Sequence, residues 1–505
     1  MSVVNSVASW WMRKRMHRIE VFMKHPVDVQ QDCLKELIDG GKGTAWGKSF
    51  GYSSINNYEQ FVDRVPLQDY ESLKAIITNI RNGQQNLLWN TETKWFAKSS
   101  GTAHDKSKYI PITNEALKAC HFKAGKDMLA IYCSLYPAAQ LFTGRYFSLA
   151  GSVATDKFGN YSSKNGDLSA IIAKNLPAWT LHYSTPSLDV LTMPNWEEKL
   201  EKIARSIVSE DVVNILGVPS WMLIVLKRVL EVSGKNSISQ VWPNLEVYFH
   251  GGVNFLPYKQ QFNEVIGKDI NYLELFNASE GFFGIQDQRN SNELLLMLDY
   301  GIFYEFLAID EIGTVDEKAI PLSEVKLGCV YAMVISTNAG LWRYKLGDTI
   351  RFTSLVPYRF VITGRTKNFI NAFGEEVSVH NADAALHVAT TKTGAQIAEY
   401  SAAPVYMQNN KSGAHEWLIE FAVEPNDINY FADVFDTALM SINSDYEAKR
   451  FQNYVLAPPI IRVLPKGTFY KWLASKNKLG GQQKVPRLSN NRRVVDEVLN
   501  LLGDN

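Results

Sequence analysis

Leu245-Glu246-Val247-Tyr248-Phe249 has the length and composition of one short apolar β-strand. Working outward from it, runs of the same kind stand at Leu141-Phe142-Thr143-Gly144-Arg145-Tyr146-Phe147-Ser148-Leu149 and from Leu294 to Leu298, with longer segments of helical spacing between them. From Lys94 to Ile362 this alternation predicts an α/β architecture, in which ligands gather at loops beyond the strand ends. Near Thr363 the pattern crosses a compact polar stretch, Thr363-Gly364-Arg365-Thr366-Lys367-Asn368. Beyond it lie independent helix and strand signals, among them Glu416-Trp417-Leu418-Ile419-Glu420-Phe421. The expectation is a large α/β domain over residues 1–363 and a smaller α+β domain over 364–505, with a hinge near 364–368.

Bulk properties narrow the function. A chain of 505 residues is too long for one ordinary core, and 46% hydrophobic residues suit a globular protein. Lys plus Arg equals Asp plus Glu at 52 each, so no global field draws the chain to nucleic acid or acidic lipid. An anionic ligand must be held by a local site. Cys33, Cys120, Cys133 and Cys329 form no CxxC pair, which fits free buried thiols in a reducing compartment. Residues from about Asn5 to Ile38 read as helical with a break at Pro26. Trp10 and Trp11 beside Arg13, Lys14, Arg15 and Arg18 fit a helix packed on its own core better than a signal peptide or a membrane-surface element. The longest apolar stretch, Val212 to Leu226, is broken by Asn214, Gly217 and Pro219 and is too short to span a bilayer. A monomeric cytoplasmic protein without an integral membrane segment is expected.

Four segments carry candidate chemistry. Lys98-Ser99-Ser100-Gly101-Thr102-Ala103-His104-Asp105-Lys106-Ser107-Lys108 follows an apparent strand at Trp95 and Phe96. Its hydroxyls, glycine, lysines and backbone N–H groups can cradle a polyphosphate, although the Walker A spacing is absent; a solvated Ser/Gly turn would read the same way. In Leu275-Phe276-Asn277-Ala278-Ser279-Glu280-Gly281 an aromatic ring can stack on a base and a carboxylate can bind a hard cation. Asn277 stands where a nucleophile elbow at Ser279 would need glycine, which argues against a serine hydrolase. In Trp342-Arg343-Tyr344-Lys345-Leu346-Gly347-Asp348 a carboxylate after glycine at a strand end can accept both hydroxyls of a ribose. Near the C-terminus, Gly480-Gly481-Gln482-Gln483-Lys484-Val485-Pro486-Arg487 places two cations on a glycine-rich loop that can carry them to an anionic site.

Taken in order, these segments resemble the auxin-responsive (Gretchen Hagen) acyl acid–amido synthetase family, a branch of the acyl-adenylate-forming superfamily, over nearly the whole length. The resemblance implies an adenylate-forming α/β N-terminal domain with a mobile C-terminal lid, using ATP and Mg2+. Ser99, Ser100, Gly101 and Thr102 resemble the phosphate-binding loop, closed by Lys108. Phe276, Asn277, Ala278, Ser279 and Glu280 resemble the aromatic–x–x–Ser/Thr–Glu motif, implying Phe276 near adenine and Glu280 as the magnesium ligand. Tyr344 to Asp348 resembles the segment that puts the aspartate on the ribose, with Lys345 replacing the usual arginine and removing a bidentate fork. Asp105 stands where the superfamily loop often has glycine. Gly364-Arg365 and Lys367 look like the superfamily hinge, with Arg365 a further nucleotide contact. Lys484 matches the catalytic lysine of the C-terminal lid. His250-Gly251-Gly252 resembles the adenine-side strand end, and Val218, Pro219 and Met222 fall in a segment that lines the acyl pocket. The implied reaction activates a carboxylic acid as acyl-AMP and passes the acyl group to an amine, with an amino acid the expected acceptor; an acyl-CoA ligase with a thiol acceptor is the alternative.

Overall fold

The computed structural model describes residues 3–100, 107–253, 255, 258–312, 314, 317–366, 369–407, 412–475 and 485–503. Pro26 divides the amino-terminal helical stretch into α1 (Val3–Lys24) and α2 (Pro26–Gly41). It opens α2, where a missing N–H breaks no helical bond. Ile19 and Phe22 of α1 are buried, while Trp10 lies exposed with Lys14 Nζ 3.6 Å from its ring centre. One face of α1 therefore packs on the core, and no described helix is long and apolar enough to cross a membrane.

The strands in chain order begin with β1 (Trp95–Ser100), β2 (Ser107–Ile112), β3 (Arg145–Ser148), β4 (Val153–Phe158), β5 (Tyr161–Gly166) and β6 (Ser184–Thr185). Next come β7 (Val212–Gly217), β8 (Val247–Gly251), β9 (Asn271–Ala278), β10 (Gly281–Ile285) and β11 (Leu294–Leu296). They are followed by β12 (Ile302–Ala308), β13 (Ile320–Pro321), β14 (Val330–Thr337), β15 (Tyr344–Leu355) and β16 (Tyr358–Arg365). The chain divides into two compact units: residues 1–99, 108–252 and 260–366 form the first, and 100–107, 253–259 and 367–505 the second.

The first unit holds a sheet with strand order β13-β12-β14-β15-β16-β11-β10-β9-β8-β7-β3-β6, and a smaller one ordered β2-β1-β5-β4. From β6 through β9 the neighbours in the large sheet are parallel, joined by helices such as Trp196–Ile207 and Pro219–Ser233. From β9 to β13 every neighbouring pair is antiparallel. The α/β alternation expected as far as Ile362 therefore stops near Ala278. Among the described residues only short 3-10 turns interrupt the meander from β9 to β16. The misreading has a physical cause. β10, β11 and β12 are buried almost throughout, so they lack the polar alternation that usually marks an antiparallel strand. Part of the cover is α2, whose Gln30 Nε2 donates to the carbonyls of Leu298 and Ile302 at 2.9 and 3.0 Å while its Oε1 accepts from Tyr304 N. Two smaller expectations also change. The strand sought from Leu141 to Leu149 is confined to Arg145–Ser148, and Cys329 is exposed while the other three free cysteines are buried.

The second unit contains β17 (Phe369–Ile370), β18 (Val377–Ser378), β19 (Gln396–Val405), β20 (Ala414–Val423) and β21 (Ile460–Leu464). β19 and β20 are antiparallel, and β21 joins β20 in parallel. The helix Val379–Thr393 starts at a capping box between Ser378 and Asn381 and stops at Gly394 in left-handed geometry. Leu418, Phe469, Trp472, Val485 and Val498 share the core of this unit.

Candidate active site

The parallel strands β3, β7, β8 and β9 end on one edge of the sheet. Their register sets Ser148 beside Leu216, Gly217 beside His250, and Gly251 beside Leu275. The loops that follow them are thereby collected at the carboxyl edge, where open α/β sheets bind ligands. Gly251 has no room for a side chain, since a Cβ would lie 2.3 Å from the Leu275 carbonyl oxygen and 3.5 Å from Asn277 Oδ1. Gly252, at φ +84°, turns the chain away from β8 in a conformation that favours glycine, and a Cβ there would lie 3.3 Å from Val218 Cγ2. Pro219 opens the next helix, and Met222 Cε comes within 3.2 Å of a Cβ built on Gly217. Val218, Pro219, Met222 and Gly252 thus sit with the end of β9 in one place.

β9 and β10 form a tight hairpin in which Ala278 pairs with Gly281, leaving Ser279 and Glu280 at the turn. Phe276 is buried against Phe283 and Phe360 at ring-centre distances of 5.2 and 5.9 Å, whereas Asn277 is exposed. Asp348 and Arg365 are register partners on β15 and β16, and Arg365 Nε donates to Asp348 Oδ1 at 2.9 Å. Tyr344 is buried, and charges from both this pair and the hairpin act on it. Burial raises its hydroxyl well above the usual range; the charges of Glu280, Tyr70 and Asp69 push the same way, and Arg365 opposes them. Glu280 and Arg365 therefore both reach the surroundings of one phenol. Tyr70 extends the cluster to Lys108, whose Nζ lies 5.9 Å from the Tyr70 ring centre, while Tyr70 Oη accepts from Tyr109 N. Lys345 turns to Glu317, with Nζ 3.3 Å from Oε1.

β1 carries the backbone as far as Ser100, but the side chains of Ser99 and Ser100 lie outside the described residues, as do Gly101, Thr102, Asp105, Lys367 and Lys484. Arg487, a candidate cation from the same segment as Lys484, is engaged within its own unit. It binds Asp383 at 2.8 and 2.9 Å, and its guanidinium carbon stands 5.1 Å from the Tyr400 ring centre. Among the described residues no group of three or more His, Cys, Asp or Glu side chains is arranged to hold a metal by itself. A magnesium ion that arrives with phosphate and water oxygens needs only one or two protein carboxylates, and Glu280 is a donor of that kind.

Sequence reading missed Tyr70, Gln68 and Glu274. Gln68 N donates to Arg343 O and Lys345 N to Gln68 O, so a distant loop is stitched to both sides of Tyr344. A polar residue in a loop far away in sequence gives no signal of such a contact. Glu274 on β9 is mostly buried, and burial raises its carboxyl to about 7. A carboxyl whose folded pKa lies above its unfolded value gives its full contribution to stability below the unfolded pKa, and that contribution is lost as pH rises through about 7. Glu274→Gln is therefore expected to gain stability over the parent between pH 5 and pH 8.5, by on the order of 3 kcal/mol. Urea midpoints at the two pH values check this, and a constant difference between the proteins would contradict it.

A large unit built on a sheet that is parallel from β6 to β9 and antiparallel from β9 to β13, together with a smaller α+β unit, is the fold class of the chain. The structure matches that of an acyl acid amido synthetase, GH3.15, in complex with 2,4-DB, with a TM-score of 0.63 at 16% identity over 97% of this chain and 96% of that one. It also matches a 2-hydroxyisobutyryl-CoA ligase in complex with 2-HIB-AMP and CoA, with a TM-score of 0.54 at 13% identity over 97% and 93% of the two chains. Three family models match the sequence: the GH3 family N-terminal domain over residues 15–270, the central domain over 295–365 and the C-terminal domain over 380–493. The chain belongs to the GH3 family. Relatives include the indole-3-acetic acid-amido synthetase GH3.3 of Arabidopsis thaliana, 23% identical over 94% of this chain and 91% of that protein. The 4-substituted benzoates-glutamate ligase GH3.12 of Arabidopsis thaliana is 22% identical over 91% and 92%. The jasmonoyl–L-amino acid synthetase GH3.5 of Oryza sativa subsp. japonica is 21% identical over 94% of each.

Proposed function

We propose that this protein is an ATP-dependent acyl acid–amido synthetase that joins a small carboxylic acid to an amino acid. The observation that carries the reading is the convergence of Glu280, Arg365 with its partner Asp348, and the Tyr70–Lys108 pair around Tyr344, on the sheet that gathers Gly252 and Val218 at its carboxyl edge. A helix, the β9–β10 turn and the strands β2, β15 and β16 supply these groups, and a single polyanionic ligand gives them a common purpose.

A carboxylate is a poor electrophile at neutral pH. In the first step an oxygen of the acid bonds to the α-phosphorus of ATP and the bond to pyrophosphate breaks, giving acyl-AMP. Ser99 to Thr102 and Lys484 offset the charge that develops on the phosphoryl oxygens. Glu280 would hold a magnesium ion that arrives with the nucleotide, and the ion would supply further positive charge at the phosphoryl group. Adenine lies against the backbone at Gly251–Gly252 beside Phe276, and Asp348 accepts the ribose hydroxyls. In the second step the amine nitrogen attacks the acyl carbon, loses a proton and displaces AMP. Val218, Pro219 and Met222 wall the acid. A hinge within 364–368, where the first unit ends at residue 366, would let Lys484 be carried by a separate body during adenylation.

The deciding experiment incubates the purified protein with ATP, magnesium and indole-3-acetate, jasmonate or benzoate in turn, with pooled amino acids, with CoA, or with neither. Acid-dependent AMP formation together with an acyl–amino acid product of the expected mass supports the proposal. A thioester in the CoA arm would make the protein a CoA ligase, and no AMP in any arm would remove the enzyme reading. Asp348→Ala is expected to weaken ATP binding roughly 10- to 100-fold, the loss of one or two charge-assisted bonds. Calorimetric titration of ATP checks it, and unchanged affinity would take Asp348 off the ribose.

A further inference from the structure

The loop that follows β3 is fixed more heavily than a strand end requires. Lys199, on the helix Trp196–Ile207, is 3% exposed and donates through Nζ to the carbonyl of Ala150 and to that of Gly151 at 3.0 Å. From the other side Asp167 Oδ2 accepts from Ser152 N at 2.7 Å, and Ser169 Oγ accepts from Gly151 N at 3.1 Å. Gly151 is pressed so closely on Asp167 that a Cβ would overlap its carboxylate. The loop is also part of the carboxyl edge. Leu149 N donates to Leu216 O at 3.0 Å, and Leu149 Cβ and Met222 Cε crowd the same face of Gly217, at 3.4 and 3.2 Å from a Cβ built there. The helix that carries Lys199 is tied to the helix that carries Met222 by the ring contact of Trp196 with Trp221 at 4.3 Å.

We propose that Lys199 is a positioning residue for the acid: it holds Leu149–Ser152 as the part of the acyl-pocket wall beside Met222, and so sets the affinity for the carboxylic acid without touching it. This rests on the reading that Val218, Pro219 and Met222 line that pocket. A buried lysine is costly to keep charged, and burial lowers its ammonium to about 8, with Asp167 the opposing charge. An apolar side chain of similar length would fill the space at less cost but could not donate to the two carbonyls.

The test compares the parent with Lys199→Met, Lys199→Arg, Asp167→Ala and Met222→Ala in the AMP-forming assay, using whichever of indole-3-acetate, jasmonate and benzoate turns over fastest. Lys199→Met is expected to raise KM for the acid about tenfold or more while KM for ATP stays within about twofold. Lys199→Arg, which keeps the donors, should restore most of the acid affinity. Asp167 is exposed, so Asp167→Ala should fold and loosen the loop from its other side even if Lys199→Met does not fold. An unchanged acid KM in Asp167→Ala and in Lys199→Met, alongside a raised one in Met222→Ala, overturns the proposal. An unchanged acid KM in all of them, Met222→Ala included, removes the acyl wall itself and the proposal with it.

Discussion

Lys484→Ala is expected to lower acid-dependent exchange of pyrophosphate into ATP by roughly 10²- to 10³-fold, with ATP binding changed only a few-fold. The difference follows from where the charge appears. Bound ATP already has partners for its phosphates and ribose in the residues proposed above, so one ammonium adds little to ground-state affinity. As the carboxylate oxygen closes on the α-phosphorus, negative charge builds on the bridging and equatorial oxygens, and a lysine delivered at that moment lowers the barrier without tightening the complex beforehand. Lys484→Arg keeps the charge but spreads it over a planar fork, and is expected to recover only part of the rate. Measuring exchange and ATP affinity on the same preparations separates the two effects. Exchange near the parent rate in Lys484→Ala would remove Lys484 from the chemistry, whereas loss of ATP binding in proportion to the rate would make it a binding residue.

The parts of the molecule that could be read in the sequence are those in which local pattern and tertiary position coincide. Val247 to Gly251 was recognisable because the short apolar run Leu245 to Phe249 leads into Gly251 and Gly252, residues that let a chain leave a sheet edge. Gly252 beside Val218 is the spatial consequence. Val212 to Gly217, by contrast, reads only as part of an apolar stretch too short to span a bilayer. The hairpin at Ser279 and Glu280 was legible as a motif but not as the point where the sheet changes from parallel to antiparallel, because the strands beyond it are buried on both faces. Tyr344 was quoted only as a neighbour of Asp348. That the charges of Glu280 and Arg365 both act on it depends on β15 and β16 lying near the β9–β10 turn, a long-range fact that no window of sequence contains. Arg487 looked available for an anionic ligand because a cation near a motif attracts that reading, yet Asp383 engages it.

Arg343 was legible only as a residue of the ribose-side motif, and its actual partner leads to the second large effect. Glu305→Ala is expected to destabilise the first unit by about 3–5 kcal/mol. The Arg343 and Glu305 side chains are 5% and 0% exposed, with Nη2 2.8 Å from Oε1 and Nε 3.1 and 3.0 Å from the two carboxylate oxygens. Nη1 donates to the Val65 carbonyl at 2.8 Å, and Tyr58 Oη donates to Glu305 Oε1 at 3.0 Å. Removing the carboxylate leaves a guanidinium that cannot lose its proton inside the sheet, with only carbonyl dipoles to hold it. Arg343 also has φ +45°, a left-handed backbone that costs a branched or long residue about 1–2 kcal/mol and persists here because the side chain is pinned. Its carbonyl accepts from Gln68 N and its own N–H donates to Ser336 Oγ at 2.9 Å, so the strain is held where β15 enters the site. Two consequences then separate. Glu305→Leu combined with Arg343→Met removes both charges and is expected to regain most of the lost stability, since well-packed apolar residues often replace a buried ion pair at little cost. It should not regain full ATP affinity, because the side-chain pin on the backbone that presents Tyr344 and Asp348 is then gone. Urea unfolding followed by tryptophan fluorescence, beside ATP titration of the single and double variants, measures both quantities. A Glu305→Ala midpoint equal to the parent's would mean that the pair is solvated and carries no load, and full ATP affinity in the double variant would mean that the geometry at Tyr344 is set by the sheet alone.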